Sequence, residues 1–120
     1  MKKVRVLLLE IDESIINMLR RYFKGDLIEL VVFNSVIIAQ EELNSAERSE
    51  DHKFDLIFFD SRIVEDRECV DAATNKILFG ERFFVSANSE LTKKRFVGSG
   101  YQSCTKEEIF GVIRSKRVMA

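Results

Sequence analysis

Five side chains in this 120-residue sequence are placed to do chemistry together: Glu10, Asp12, Asp60, Ser86 and Lys106. Asp60 closes the run Phe54-Asp55-Leu56-Ile57-Phe58-Phe59-Asp60, an apolar stretch that ends abruptly in a carboxylate and reads as a buried strand. A carboxylate at the C-terminal tip of a central parallel strand lies where open α/β sheets bind their ligands. A second acidic group, Glu10, Asp12 and Glu13, follows another apolar run and is interrupted by Ile11. Close carboxylates repel one another unless a cation joins them. A hard dication such as Mg²⁺, held by one or two carboxylates and several waters, suits such a site. A site of this kind can accept a phosphoryl group, because the metal offsets charge on the equatorial oxygens. Asp60 would be the nucleophile and would become an aspartyl phosphate. Ser86 and Lys106 would each bind one phosphate oxygen. Lys106 also falls at a helix start, where a cation opposes the macrodipole, which points to an acidic partner such as Asp60.

The elements that must position these groups follow from the hydrophobic pattern. Val4 to Leu9 is a mostly apolar strand, as expected when both faces of a parallel sheet are covered. Ser14 is the expected cap of a helix reaching about Lys24, with Ile15, Met18, Leu19, Tyr22 and Phe23 at helical spacing and Gly25 just past its end. Ile28 to Phe33 is a second strand. Ser35 to about Ala46 is a helix with Ile37, Ile38 and Leu43 inward. After the strand ending at Asp60, a weaker helix spans Glu65 to Leu78 and a fourth strand Arg82 to Ser86. A short basic helix follows from Glu90 to about Val97, then a marginal fifth strand from Tyr101 to Cys104. Thr105 caps the last helix, with Glu108 three residues on as a capping box and Ile109, Phe110, Val112 and Ile113 inward. Ser115 to Ala120 is expected as a frayed helix end or a short tail. Strand and helix alternate five times, which predicts an α/β fold with a parallel sheet, helices on both faces and right-handed crossovers. In the flavodoxin-like (βα)5 three-layer sandwich the strand order is 2-1-3-4-5, so strands one and three are neighbours and Glu10 and Asp12 fall near Asp60.

Bulk composition narrows the possibilities. The length fits a single domain, residues 1–120, with one core. Lys plus Arg number 19 and Asp plus Glu 20, so the charge balance does not favour nucleic acid or a membrane surface as partner. The apolar run near the N-terminus is too short and too polar for a signal peptide or a span, which leads to a cytoplasmic location. Cys69 and Cys104 lack metal-ligand spacing and are expected as reduced thiols, and the single His52 does not make a zinc site.

These motifs, taken in order, resemble the response-regulator receiver domain of two-component signalling, over essentially the whole chain. Leu8-Leu9-Glu10-Ile11-Asp12-Glu13-Ser14 resembles the family's first-strand motif, two hydrophobics followed by an acidic pair. Phe54 to Asp60 resembles the phosphoacceptor strand, Val85-Ser86-Ala87 the switch segment, and Gly100 and Lys106 the glycine and lysine that bracket strand five. The resemblance implies Mg²⁺ as cofactor and Asp60 as phosphoacceptor, with Ser86 and Lys106 assisting and Glu10, Asp60 and Asp12 as metal ligands. It implies a histidine kinase or phosphotransfer protein as donor, a downstream protein target as output, and a homodimer formed through the strand-four to helix-five face. Any enzymatic activity would be limited to self-catalysed phosphoryl transfer to and from Asp60.

The chain also departs from that pattern. Ile11 stands where the second acid of the pair is usual, and an isoleucine has no oxygen to offer a metal. Glu107 replaces the proline that normally follows the lysine, and the usual Pro and Gly are missing from Ser61 to Asp66. Ser103 stands at the switch-aromatic position, with Tyr101 the nearby aromatic. These departures motivate an alternative: a degenerate receiver that binds protein partners without phosphorylation. A flavin-type cofactor binder is disfavoured, because a phosphate-binding loop needs glycine and free amides where this chain has Glu10, Asp12 and Glu13. An aspartate-based hydrolase needs an acid two residues after Asp60, where Arg62 stands.

Overall fold

A computed structural model of the chain describes residues 3–25, 27–35, 37–39, 53–60, 79–85 and 101–119. Within them run β1 (Val4–Leu9), α1 (Glu13–Tyr22), β2 (Ile28–Phe33), β3 (Phe54–Asp60), β4 (Phe79–Val85), β5 (Gln102–Cys104) and α2 (Lys106–Met119). The strands form one open, wholly parallel sheet in the order β2-β1-β3-β4-β5. This is the α/β arrangement that the alternation of elements predicts, in the expected strand order. Ser86, Gly100, most of the expected second helix, and the third and fourth helices lie outside the described residues.

Alternation along the central strands divides the core between the two sheet faces. Val6, Leu8, Leu56 and Phe58 point to the face covered by α1 and α2, where they meet Ile16, Leu19, Ile109 and Ile113. Leu7, Leu9, Ile57 and Phe59 point to the other face, with Ala39 and Phe84. Both faces are apolar, so β1 and β3 read as continuous hydrophobic runs. Each fully buried Leu, Ile or Phe contributes roughly 1.5–3 kcal/mol from removal of apolar surface from water.

Several expected details shift. The N-cap of α1 is Asp12, not Ser14, and the helix begins at Glu13. The Asp12 carboxylate accepts the Ser14 amide at 3.0 Å and the Ser14 hydroxyl at 2.6 Å, so the cap lies two residues earlier and Ser14 supports it. The buried stripe of α1 is Ile16, Leu19 and Phe23, while Met18 and Tyr22 lie outside at 46% and 52% exposure. The helix stops at Tyr22, and Gly25 follows with φ of 82°, the left-handed conformation expected just past a helix end. Residues 37–39 are helical, yet Ile37 and Ile38 are exposed and Ala39 is the buried member. The Ala39 amide donates to the Ser35 carbonyl at 3.0 Å, and that phase turns Ala39 toward the sheet. Leu43 lies outside the described residues.

β4 starts at Phe79, three residues before the expected Arg82. Gly80 makes the early start feasible: a Cβ there would lie 2.6 Å from the Asp55 carbonyl oxygen of β3. β5 is the short Gln102–Cys104, and α2 remains helical through Met119 rather than fraying at Ser115. On α2, Ile109 and Ile113 are buried, while Phe110 and Val112 are half-buried at its edge. The capping box at its start is as expected: the Glu108 amide donates to Thr105 Oγ1 at 3.3 Å, and the Thr105 amide donates to Glu108 Oε1 at 2.9 Å. No helix among the described residues is long and apolar enough to cross a membrane.

Candidate functional site

The C-terminal ends of β1 and β3 deliver two carboxylates to one place. Leu9 pairs with Phe59 in the β1–β3 register, so the next residues, Glu10 and Asp60, stand side by side. Their parity matches Leu8 and Phe58, which directs both toward the face covered by α1 and α2. Glu10 is 0% exposed and Asp60 1%. A third group comes from α2. Its first residue, Lys106, sends its ammonium across the ends of the strands to lie 3.2 Å from Asp12 Oδ2, 3.5 Å from Glu10 Oε1 and 3.7 Å from Asp60 Oδ2.

Each member is held by its own element. The Glu10 amide donates to the Phe33 carbonyl of β2 at 3.0 Å, which fixes the backbone at the end of β1. The Glu10 side chain then folds over the following loop, and its Oε1 accepts the amides of Ile11 at 3.1 Å and Asp12 at 3.0 Å. Asp12 caps α1 through Oδ1 and meets Lys106 through Oδ2, so one carboxylate joins the starts of both helices. The capping box at Thr105 fixes the first turn of α2 and hence the direction of Lys106. A cation in that first turn opposes the helix dipole; three neighbouring carboxylates offset this cost.

The electrostatics separate the acids. Glu10 is pushed up to about 7, chiefly by burial and next by a hydrogen bond shared with the Asp60 side chain, while the Asp12 amide and the Lys106 charge pull it back in part. A carboxyl–carboxyl hydrogen bond needs a proton on one partner, and the raised affinity of Glu10 places it there over much of the acid-to-neutral range. Asp12 is pulled down to about 2 by its hydrogen bonds from the Ser14 side chain and from Lys106. Two acids separated by one residue thus differ in charge state near neutral pH: Asp12 ionised, Glu10 in balance.

Among the described residues, no group of three or more acidic, His or Cys side chains is arranged to hold a metal ion. The donor chemistry at the strand ends is still that of a hard cation: Glu10 and Asp60 offer carboxylate oxygens, and the exposed Ile11 offers none. The residues therefore fit a cation held by these two carboxylates and completed by water, not a closed cage of protein ligands.

Of the sequence-derived set, Glu10, Asp12, Asp60 and Lys106 converge, and Ser86 lies outside the described residues. The double duty of Asp12, as helix cap and as partner of Lys106, was not anticipated. An Asp-x-Ser spacing ahead of an apolar run carries the capping half of that signal. The Lys106 contact joins residues far apart in sequence and has no local signature. On the other face of the sheet, Tyr101 packs against Phe84 with ring centroids 4.9 Å apart, and its hydroxyl accepts a hydrogen bond from Arg82 at 2.7 Å. Cys104, at the end of β5, is a buried free thiol pushed up to about 12 by burial, so it stays protonated and unreactive while folded.

No family model matches this sequence, and no curated protein matches it either. The class that the fold and the cluster define is an open parallel α/β protein with an acidic pocket at the carboxyl ends of its central strands.

Proposed function

We propose that this chain is a cytoplasmic receiver domain of two-component signalling, a flavodoxin-like (βα)5 three-layer sandwich that accepts a phosphoryl group on Asp60. The single observation that carries the reading is the convergence of a buried Asp60, a buried Glu10 and the Lys106 ammonium at the ends of adjacent parallel strands. The donor would be a phosphohistidine of a kinase or phosphotransfer protein. An Asp60 carboxylate oxygen attacks phosphorus; the O–P bond forms as the P–N bond breaks, and the imidazole nitrogen keeps the electron pair. Lys106, 3.7 Å from Asp60 Oδ2, would meet an oxygen of the transferred group. Ser86, next after the Val85 that pairs with Asp60, would meet another. Mg²⁺ held by Glu10 and Asp60, with Asp12 close by, would offset the charge of the phosphoryl oxygens when bound. Output would be a changed protein-binding surface on the β4–β5–α2 side, read by a downstream protein or by a second copy.

The exposed Ile11 favours a second reading, a receiver-like module that binds its partner without phosphorylation. Intact-mass measurement after incubation with Mg²⁺ and a small-molecule phosphoryl donor separates the two. One added phosphoryl group on the native chain, missing from Asp60→Asn, supports the first. An unmodified native chain overturns it.

A further inference from the structure

β2 stands at an end of the five-stranded sheet, and its backbone phase fixes which groups look outward. The Phe33 carbonyl accepts the Glu10 amide at 3.0 Å and the Leu27 carbonyl accepts the Val4 amide at 2.9 Å, so the odd-numbered residues of β2 turn their peptide groups toward β1. Peptide direction alternates along a strand, so Ile28, Leu30 and Val32 turn their N–H and C=O groups to the outer edge. The side chains of those three pack on the α1 side of the sheet, and those of Val31 and Phe33 on the other. An open strand edge is a template for another strand, and proteins usually blunt it with Lys, Pro, a bulge or a very short strand. β2 is six residues long, Ile28-Glu29-Leu30-Val31-Val32-Phe33, in unbroken register with β1, and carries none of these devices. Its one charged side chain, Glu29, is already paired with Arg5 Nε at 2.8 Å.

We infer that this chain pairs with a second copy of itself through this edge, β2 antiparallel to β2, to form one continuous sheet. A two-fold axis perpendicular to the sheet at Leu30 sets Leu30 opposite Leu30 of the second copy, and Ile28 opposite Val32. Each such pair exchanges both of its hydrogen bonds, so every outward peptide group of the strand is satisfied. The register preserves parity, and the apolar side chains on each face of β2 continue across the seam. Glu29 then lies opposite Val31 and not opposite a second Glu29.

The flank of α1 selects a second copy over an unrelated strand. α1 links β1 to β2 and packs over them through Ile16, Leu19 and Phe23, whereas α2 follows β5 at the other end of the sheet. Tyr22 marks the side of α1 toward α2, through its contacts with Phe110 and Arg114. At about 100° per residue, Glu13, Asn17 and Arg20 fall on the opposite side, which overhangs the β2 edge, and all three are exposed. The acid lies in the first turn and the base in the last; Lys24, just past the helix end, adds to the basic end. The same axis sets the two α1 helices side by side and antiparallel on one face of the joined sheet. Glu13 of each then faces Arg20 of the other, and Asn17 lies near the axis. A foreign strand would satisfy the β2 edge alone; the second copy satisfies that edge and supplies the complement of the α1 stripe by symmetry. This surface is built from β2 and α1 and uses neither β4, β5 nor α2.

Amide hydrogen exchange over a protein concentration series, with sedimentation equilibrium on the same samples, tests the inference. The amides of Ile28, Leu30 and Val32 should exchange fast in dilute solution and slow by about tenfold or more as the dimer forms, while those of Glu29, Val31 and Phe33, which face β1, stay protected throughout. Arg20→Glu and Glu13→Arg should each weaken dimerisation by about tenfold or more with an unchanged circular dichroism spectrum, because each sets like charges face to face. Mixed together, the two variants should form a heterodimer, since every facing pair is then opposite in sign. A native chain that stays monomeric throughout the series, a dimer whose three outward amides remain fast, or variants that fail to pair when mixed, overturns the proposal.

Discussion

The two ends of the α1–α2 pair invert the usual sorting of side chains in opposite ways. At the start of the helices, Glu10 and Asp60 are fully buried charge-bearing groups beneath the Lys106 ammonium. At the far end, Met18 and Tyr22 are large apolar groups in water, with Arg21 and Arg114 beside them. Buried carboxylates raise the energy of the fold unless compensated, whereas a few exposed apolar side chains cost it little. The difference is instructive: the first end is built at the expense of stability, and the second is nearly neutral for stability. A function assigned to the first end should therefore leave its mark on folding, and one assigned to the second should leave its mark on association.

The largest effect should come from removing Lys106, the cation that among the described residues reaches all three acids. Lys106→Met leaves Glu10 and Asp60 buried with no ammonium between them and should cost about 3 kcal/mol in urea unfolding at neutral pH. A loss of under about 0.5 kcal/mol would mean that the acids are already neutralised by shared protons. Glu10 sets the pH dependence. Its affinity for a proton is raised in the folded state, from 4.5 to about 7, so the stabilisation is fully present below pH 4.5 and is lost as pH rises through about 7. The native chain should lose on the order of a few kcal/mol over that window, and Glu10→Gln should flatten the profile. A native profile that is level or rising there contradicts the arrangement.

A smaller effect is expected at the joint that aims Lys106. Thr105→Ala removes half of the capping box and should cost about 1 kcal/mol. Because α2 then starts less firmly, phosphoryl acceptance at Asp60 should fall by more than this stability loss alone would give, measured as the initial labelling rate. The smallest effect belongs to the far end. Met18→Gln should change stability by no more than about 0.5 kcal/mol, in contrast to any substitution in the pocket.

What the sequence conveyed, and what it did not, divides along the same line. The runs Val4–Leu9 and Phe54–Asp60 are apolar on both faces, and that local signature carried the parallel sheet; its order, and with it the pairing of Glu10 with Asp60, came from the flavodoxin-like pattern of alternating elements and not from the runs themselves. The Thr105–Glu108 box was legible because both partners lie within one helical turn. The helix faces were harder to read. Ile15, Met18, Leu19, Tyr22 and Phe23 form a stripe too broad to say which side turns inward, and packing chose Ile16, Leu19 and Phe23. The same ambiguity put Ile37 and Ile38 inside, where Ala39 is. Asp12 reads in the sequence as a loop acid or a metal ligand, and only the structure makes it the cap of α1 and, through the approach of Lys106 across the ends of the strands, gives it a second partner.

As a phosphoacceptor site, the Glu10–Asp60–Lys106 pocket should respond to a metal ion and to a phosphoryl mimic. Amide spectra recorded by nuclear magnetic resonance during a titration with Mg²⁺, then with beryllofluoride as a phosphoryl mimic, test it most directly. Saturable shifts centred on Glu10 to Asp12, Asp60 and Thr105 to Lys106 are expected in the native chain, with their loss in Asp60→Asn. Spectra that do not respond to either addition, or that respond alike with and without the Asp60 carboxylate, would contradict it.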